Sequence, residues 1–402
     1  MTNRMAAGYL LMLLLLLAVM PVYAENVVLV IIDGARYSET FGDPTRAHIP
    51  EMEELAERGA IVDEFYNDEY TWTSRAVPAI WCGDWTDVRD TTYQSQNTQY
   101  TLSPSIFEYF RHDTNAPADE CYYVLKSLSS LWLPSFHPEY GPDYWPTFYS
   151  EGWTDLDVLD NAIDVLHDEQ PQLMLVYFAD VDHAGHSGVW NDYIAAIETA
   201  DYCVSQLWNA IQADDHYRDN TVMMVTNDHG RHDDQHGGFS GHGDGCDGCR
   251  HIMMLAIGPE IESELISTEY RTIPDFAVTA CEILGVDPAY AGGEVMDEIF
   301  VQNTTGEPVA SPLPDQSSLV NVYPNPFNAS TRISVTLKQP GHLRLDVFNL
   351  NGELITTISD GSVSAGDQAF TFSAVELTSG LYFVRATVPG QLNEVRKVML
   401  IH

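Results

Sequence analysis

Three apolar runs in this chain each lead into residues able to hold a divalent metal. Residues 27–32 run into Asp33-Gly34. Leu173–Phe178 is followed by Asp180, Asp182, His183 and His186. Thr221–Thr226 is followed by Asp228, His229 and Gly230, with Gly241-His242-Gly243 a little further on. Anionic oxygens, neutral imidazoles and glycines that admit close backbone approach are what such a site needs. In open α/β sheets ligands gather beyond the carboxyl ends of the strands. Three such runs would therefore deliver these groups to one edge. Taken singly, each has a plain structural reading: Asp33 as a cap or turn residue, His183 as a bystander, the stretch from Asp228 to His242 as a solvated loop. The ordered set is what points to chemistry.

The elements that must position these residues can be read from the same chain. Residues 27–32 form a continuous, largely β-branched run, as expected of a parallel strand buried on both faces. A helix is predicted around 51–58, stopping at Gly59. Apolar runs recur at Cys121–Leu125, Leu173–Phe178, Thr221–Thr226 and 252–257, with helical patterns at 156–166 and 193–211. This rhythm predicts an α/β fold: a mostly parallel sheet with helices on both faces. Beyond residue 318 the period changes to two, at 332–337 and 343–348, and Asn351-Gly352 marks a tight hairpin turn. That pattern predicts a small all-β sandwich of about seven strands.

Composition separates the same two regions. Over 402 residues, 59 acids against 18 bases give a net charge of −41. Residues 317–402 are balanced, with six bases and six acids, so the negative charge lies upstream. Such a chain is unsuited to holding duplex nucleic acid by phosphate neutralisation. Arg4 precedes an apolar run over 10–20, and Val22-Tyr23-Ala24 offers a small-residue cleavage site. Residues 1–24 thus read as a secretory signal peptide. No later segment is apolar for long enough to span a bilayer. The expected organisation is 1–24 signal peptide, 25–302 catalytic domain, 303–318 linker rich in Thr, Gly, Pro and Ser, and 319–402 sandwich. Export permits disulfides. Cys246-x-x-Cys249 lacks the second pair of a zinc ribbon, and a local bridge is the favoured expectation.

Asp33 after a strand, Thr71-Trp72-Thr73-Ser74-Arg75, Asp182-x-x-x-His186, Asp228-His229-Gly230 and Gly241-His242-Gly243 together resemble the alkaline phosphatase superfamily. Within it they are most similar to the nucleotide pyrophosphatase/phosphodiesterase-like branch. The resemblance covers residues 26–300. It implies two divalent metal ions, Zn2+ first and Mn2+ as runner-up. Asp182, His186 and His242 would hold one, and Asp33, Asp228 and His229 the other. Thr71 would be the nucleophile. Four positive charges would then be matched by Asp33, Asp182, Asp228 and an ionised Thr71. The implied reaction is phosphodiester or phosphomonoester hydrolysis through a phosphoryl-threonine intermediate, on a small phosphate ester or a nucleotide. Arg75 would add a donor to the phosphate, or else pair with Asp84 or Asp87. Ser74-Arg75 also resembles the sulfatase branch, but that branch has an oxidisable Cys or Ser where Thr71 stands. A sulfatase-like or phosphonate hydrolase, or a non-catalytic metal-stabilised surface binding protein, are the alternatives. His232, His236, Asp233 and Asp234 share the ligand loop, where they could orient substrate, form a third cation site or have no role. The aromatic stretch from Trp132 to Trp153 is expected to be core more than a wall over the site.

Tyr323-Pro324-Asn325-Pro326-Phe327-Asn328 and Ser379-Gly380-Leu381-Tyr382-Phe383 resemble the C-terminal sorting domain of the type IX secretion system. This implies that type IX machinery is a partner and that the protein is secreted or held at the cell surface, with the periplasm as second choice.

Overall fold

The computed structural model describes residues 24–127, 132–301, 318–323, 327, 330–350, 352–374 and 377–400. The expected leader before Ala24, the expected linker from 303 to 317 and most of the Tyr323–Asn328 stretch lie outside the described residues. The chain divides into two compact units between Gln302 and Asn303.

In the first unit, eight strands form one sheet: β1 Asn26–Ile32, β2 Gly59–Val62, β3 Cys121–Leu125, β4 Thr147–Ser150, β5 Leu173–Phe178, β6 Thr221–Thr226, β7 Met254–Ile257 and β8 Leu265–Ser267. Their order is β8-β2-β7-β6-β1-β5-β3-β4. Only β7 runs against its neighbours, β6 and β2; the remaining pairings are parallel. The sheet is thus mostly parallel, as expected, with one reversed strand that an apolar run alone does not reveal.

The alternation of β1 divides the core. Val27, Leu29 and Ile31 pack into one apolar cluster with the helices Thr73–Cys82, Ile106–Thr114 and Ile273–Leu284. Val28, Val30 and Ile32 pack into another with Pro50–Ala56, Asp155–Asp168 and Trp190–Ala213. Both faces of the sheet are covered, which is why its central strands carry no polar alternation. Helix Asp155–Asp168 starts at a capping box between Thr154 and Asp157. Trp132, Tyr140 and Trp145 are buried in the first cluster, so this part of the aromatic stretch is core; Trp153 is exposed.

The second unit has seven strands among its described residues, in antiparallel sheets of three and four. Ile333, Val335 and Leu337 from one sheet share a core with Leu343, Leu345, Val347, Val384, Ala386 and Val388 from the other. The spacing of two in the sequence is this inward face. The expected turn lies between the strands Gly341–Asn349 and Leu354–Val363, with Gly352 at φ +80° donating its N–H to Asn349 O.

Candidate active site

β1 lies between β5 and β6, in register through Ile31, which faces Tyr177 on one side and Thr226 on the other. Three adjacent parallel strands therefore end together, and the residues just beyond them meet at one edge. β1 leads directly to Asp33. β5 leads into the helix Asp180–Ser187, where Asp182 and His186 are one turn apart on one face. β6 leads through Asn227 to Asp228 and His229, both fully buried. Gly34 is required at its turn: it has φ +75°, and a Cβ there would lie 2.9 Å from both Asp182 and Arg231.

The donor atoms converge in two adjoining groups. Asp33, Asp228 and His229 form one, and Asp182, His229 and His242 the other, each with donor atoms within 4.8 Å of one another. His229 Nε2 is 3.5 Å from Asp33 Oδ1 and 3.4 Å from Asp228 Oδ2. His242 Nε2 is 3.5 Å from Asp182 Oδ1, and His186 Nε2 is 3.3 Å from Asp182 Oδ2. The His229 and His242 rings stack with centroids 3.9 Å apart.

Hydrogen bonding assigns the imidazole tautomers. His229 Nδ1 is 2.8 Å from Gly230 O, and His242 Nδ1 is 2.9 Å from Thr71 O. A carbonyl oxygen only accepts, so each Nδ1 carries a proton, and in the neutral ring the inward Nε2 presents a lone pair. His242 Nε2 also faces His186 Nε2 at 3.1 Å. Lone pairs and carboxylates thus point at one another, and the buried Oδ2 of Asp228 has no hydrogen-bond partner. Without a cation this arrangement is costly. Burial, with repulsion from Asp228 and Asp182, drives the Asp33 carboxyl well above the carboxylate range. Burial and Asp182 raise Asp228 to about 7. Burial, first of all, lowers His242 to about 4. The donor set fits a pair of divalent cations: an orphaned oxygen, inward lone pairs and clustered carboxylates are each relieved by positive charge.

The two threonines have different surroundings. Thr71 donates its hydroxyl to Asp244 O at 2.8 Å, and its carbonyl accepts from His242. Thr73, the first residue of helix Thr73–Cys82, has its hydroxyl 3.0 Å from His229 Nε2 and 3.5 Å from Asp33 Oδ1. The hydroxyl at the Asp33–Asp228–His229 group is therefore that of Thr73, whereas the sequence expectation was Thr71. Two residues of spacing could not decide between them; the helix start does. Arg75 pairs with Asp87 at 3.0 Å and lies over the Tyr70 ring, a structural pairing in place of an open phosphate donor. His183 lies with Lys126 and Asp180.

Two neighbours escaped the sequence reading. Tyr177, on β5, donates its hydroxyl to Asp33 Oδ2. Arg231, fully buried, binds Asp182 Oδ1 and the carbonyls of Phe239 and Ser240. Its nearness to Asp228-His229 was a usable signal; its partner on another strand end was not visible. All six cysteines have free thiols, so the expected local bridge between Cys246 and Cys249 is not formed.

Residues 148–288 match the model of the metalloenzyme superfamily, which implies the use of divalent metal. Residues 321–401 match the secretion system C-terminal sorting domain, which indicates secretion or display at the cell surface. The 2,3-bisphosphoglycerate-independent phosphoglycerate mutase of Ectopseudomonas mendocina (strain ymp) is 24% identical over 144 residues, 36% of this chain and 27% of that one. The corresponding mutase of Brugia malayi is 32% identical over 73 residues, 18% of this chain and 13% of that one. The chain thus spans about a quarter or less of the length of these relatives. Among solved structures, a mutant of the alkaline phosphatase PafA superposes with a TM-score of 0.54 at 11% identity, covering 69% of this chain and 99% of that one. A 2-O glycosaminoglycan sulfatase superposes at 0.52 and 13% identity, covering 88% and 86%. The fold is alkaline phosphatase-like. No helix among the described residues is long and apolar enough to cross a membrane.

Proposed function

We propose that this chain is an exported hydrolase of phosphoric esters, working with two divalent cations and a threonine nucleophile. Asp33, Asp228 and His229 would hold one cation, and Asp182, His186 and His242 the other. Zinc suits three imidazoles among six ligands, and manganese is the alternative. Once bound, such a pair supplies Lewis-acid stabilisation and lowers the pKa of an oxygen nucleophile.

The chain's own residues orient the reaction. The observation that carries this reading is the Thr73 hydroxyl, 3.0 Å from His229 Nε2 and 3.5 Å from Asp33 Oδ1. It stands at the start of a helix, where unpaired N–H groups favour a bound anion. Thr73 loses its hydroxyl proton to solvent and attacks phosphorus; its O–P bond forms as the ester O–P bond breaks, and the departing oxygen leaves as the alcohol with a proton from water. Water then releases the phosphoryl group and restores the hydroxyl. Thr71 is a positioning residue, since its carbonyl orients His242 and its hydroxyl holds the Asp244 loop. Tyr177 and Arg231 orient Asp33 and Asp182 in the same sense. We assign the hydrolase to residues 25–302 and type IX export to residues 319–402, with the leader removed after Ala24.

Metal-replete protein is to be assayed on aryl phosphate mono- and diesters, an aryl phosphonate and an aryl sulfate, with and without chelator. Chelator-sensitive phosphate ester hydrolysis is expected. Turnover of the sulfate alone would favour a sulfatase-like enzyme, and no turnover at all a surface binding protein.

A further inference from the structure

A second cluster of ligand-type side chains stands outside the six. His232, Asp244, Cys246 and Cys249 bring donor atoms within 4.8 Å of one another. His232 Nδ1 lies 3.3 Å from Cys249 Sγ, 3.7 Å from Cys246 Sγ and 3.2 Å from Asp244 Oδ1. A tetrahedral zinc, with Zn–S about 2.3 Å and Zn–N and Zn–O about 2.0 Å, sets N···S edges at about 3.5 Å and the N···O edge at about 3.3 Å. The three separations lie within about 0.3 Å of those edges.

The local chain builds this geometry. Cys246 precedes the short helical turn Asp247–Arg250, and the Cys249 N–H returns to Cys246 O, bringing the two cysteines onto one side. Both are buried with free thiols, while Asp244 is half-exposed and leaves a path for entry. Gly241 makes room for the imidazole, since a Cβ there would sit 2.8 Å from His232 Cδ2.

We propose that His232, Asp244, Cys246 and Cys249 bind a structural zinc ion, distinct from the two cations of the hydrolytic site. Both thiols release their protons to solvent on binding. Two thiolates, a carboxylate and a neutral imidazole then complete a four-coordinate site with no vacancy for substrate. Its work is mechanical. His232 follows closely on Asp228 and His229, and Asp244 follows His242 by two residues, so the ion ties together segments that carry ligands of both cation groups. The Asp244 carbonyl also receives the Thr71 hydroxyl.

The test is cobalt titration of the full chain, stripped of metal and reduced under anaerobic conditions. A near-ultraviolet thiolate-to-cobalt charge-transfer band is expected, saturating at a single equivalent and lost in Cys246→Ser/Cys249→Ser. Neither hydrolytic group contains sulfur, so the band reports this cluster alone and is independent of any activity. As purified, the wild type should hold one zinc more per chain than the double variant. The proposal is overturned if wild-type protein takes up cobalt with no such band while both thiols react freely with a thiol reagent. It is equally overturned if the exported protein carries the two cysteines as a disulfide and the double substitution loses no metal.

Discussion

Replacing Thr73 and Thr71 separately distinguishes the two threonines by orders of magnitude. Thr73→Ala removes the hydroxyl beside His229 and Asp33. Without a nucleophile only positioning and charge stabilisation remain, and a loss of at least about 10³-fold in kcat is expected, equivalent to about 4 kcal/mol of barrier. Thr71→Ala deletes one hydroxyl bond to Asp244 O but leaves the backbone carbonyl that orients His242. One neutral hydrogen bond contributes about 1 kcal/mol, so kcat should fall less than about tenfold. The assay is initial rates on an aryl phosphate under saturating metal, with acid-quenched protein digested and mapped for phosphothreonine. Phosphate should map to Thr73, and Thr73→Ser should retain activity. Were Thr73→Ala to stay within tenfold of wild type while Thr71→Ala lost 10³-fold, the assignment from geometry would be refuted.

Metal removal should destabilise the protein more at pH 8 than at pH 5.5. Asp228 titrates near 7 in the folded metal-free chain, raised by burial first and by Asp182 second, against about 3.9 unfolded. The folded state therefore holds a proton that the unfolded chain releases, and metal-free stability falls as pH rises from about 4 through about 7. The cation replaces that proton, so the Tm gap between loaded and chelated protein should widen with pH; a constant gap would contradict this linkage. Arg231→Met leaves Asp182 without its buried partner; urea unfolding should show a loss of about 3 kcal/mol, and a change below about 0.5 kcal/mol would mean the pair is not held. Asp201→Ala removes the carboxylate that accepts from the N–H groups of Glu51 and Met52 at the start of helix Pro50–Ala56. It should cost about 1 kcal/mol in the same measurement, and an unchanged midpoint would rule out that cap.

Much of the architecture was legible because it follows from local rules. The unbroken apolar run of β1 announced a strand covered on both faces, and the period of two after residue 330 announced a sandwich. The strand–carboxylate junctions at Asp33, Asp182 and Asp228 indicated one functional edge, because parallel strands end together. The reversal of β7 was not legible, since burial on both faces erases any mark of direction.

The order of residue types along the chain was enough, by itself, to determine the α/β class and to set a charge-balanced, period-two tail apart from an acidic α/β part; the six candidate ligands followed from the family resemblance of the motifs. Three matters were left to the tertiary structure. Thr73, the first residue of its helix, reaches His229, while Thr71, on the far side of the extended N-cap Trp72, reaches Asp244 O. Arg231 meets Asp182 across 49 positions of sequence. Cys246 and Cys249 come together beside His232, which is far less close to them in sequence than they are to each other. Each depends on distances between segments remote in sequence, and such distances are set only when the sheet and its helices pack.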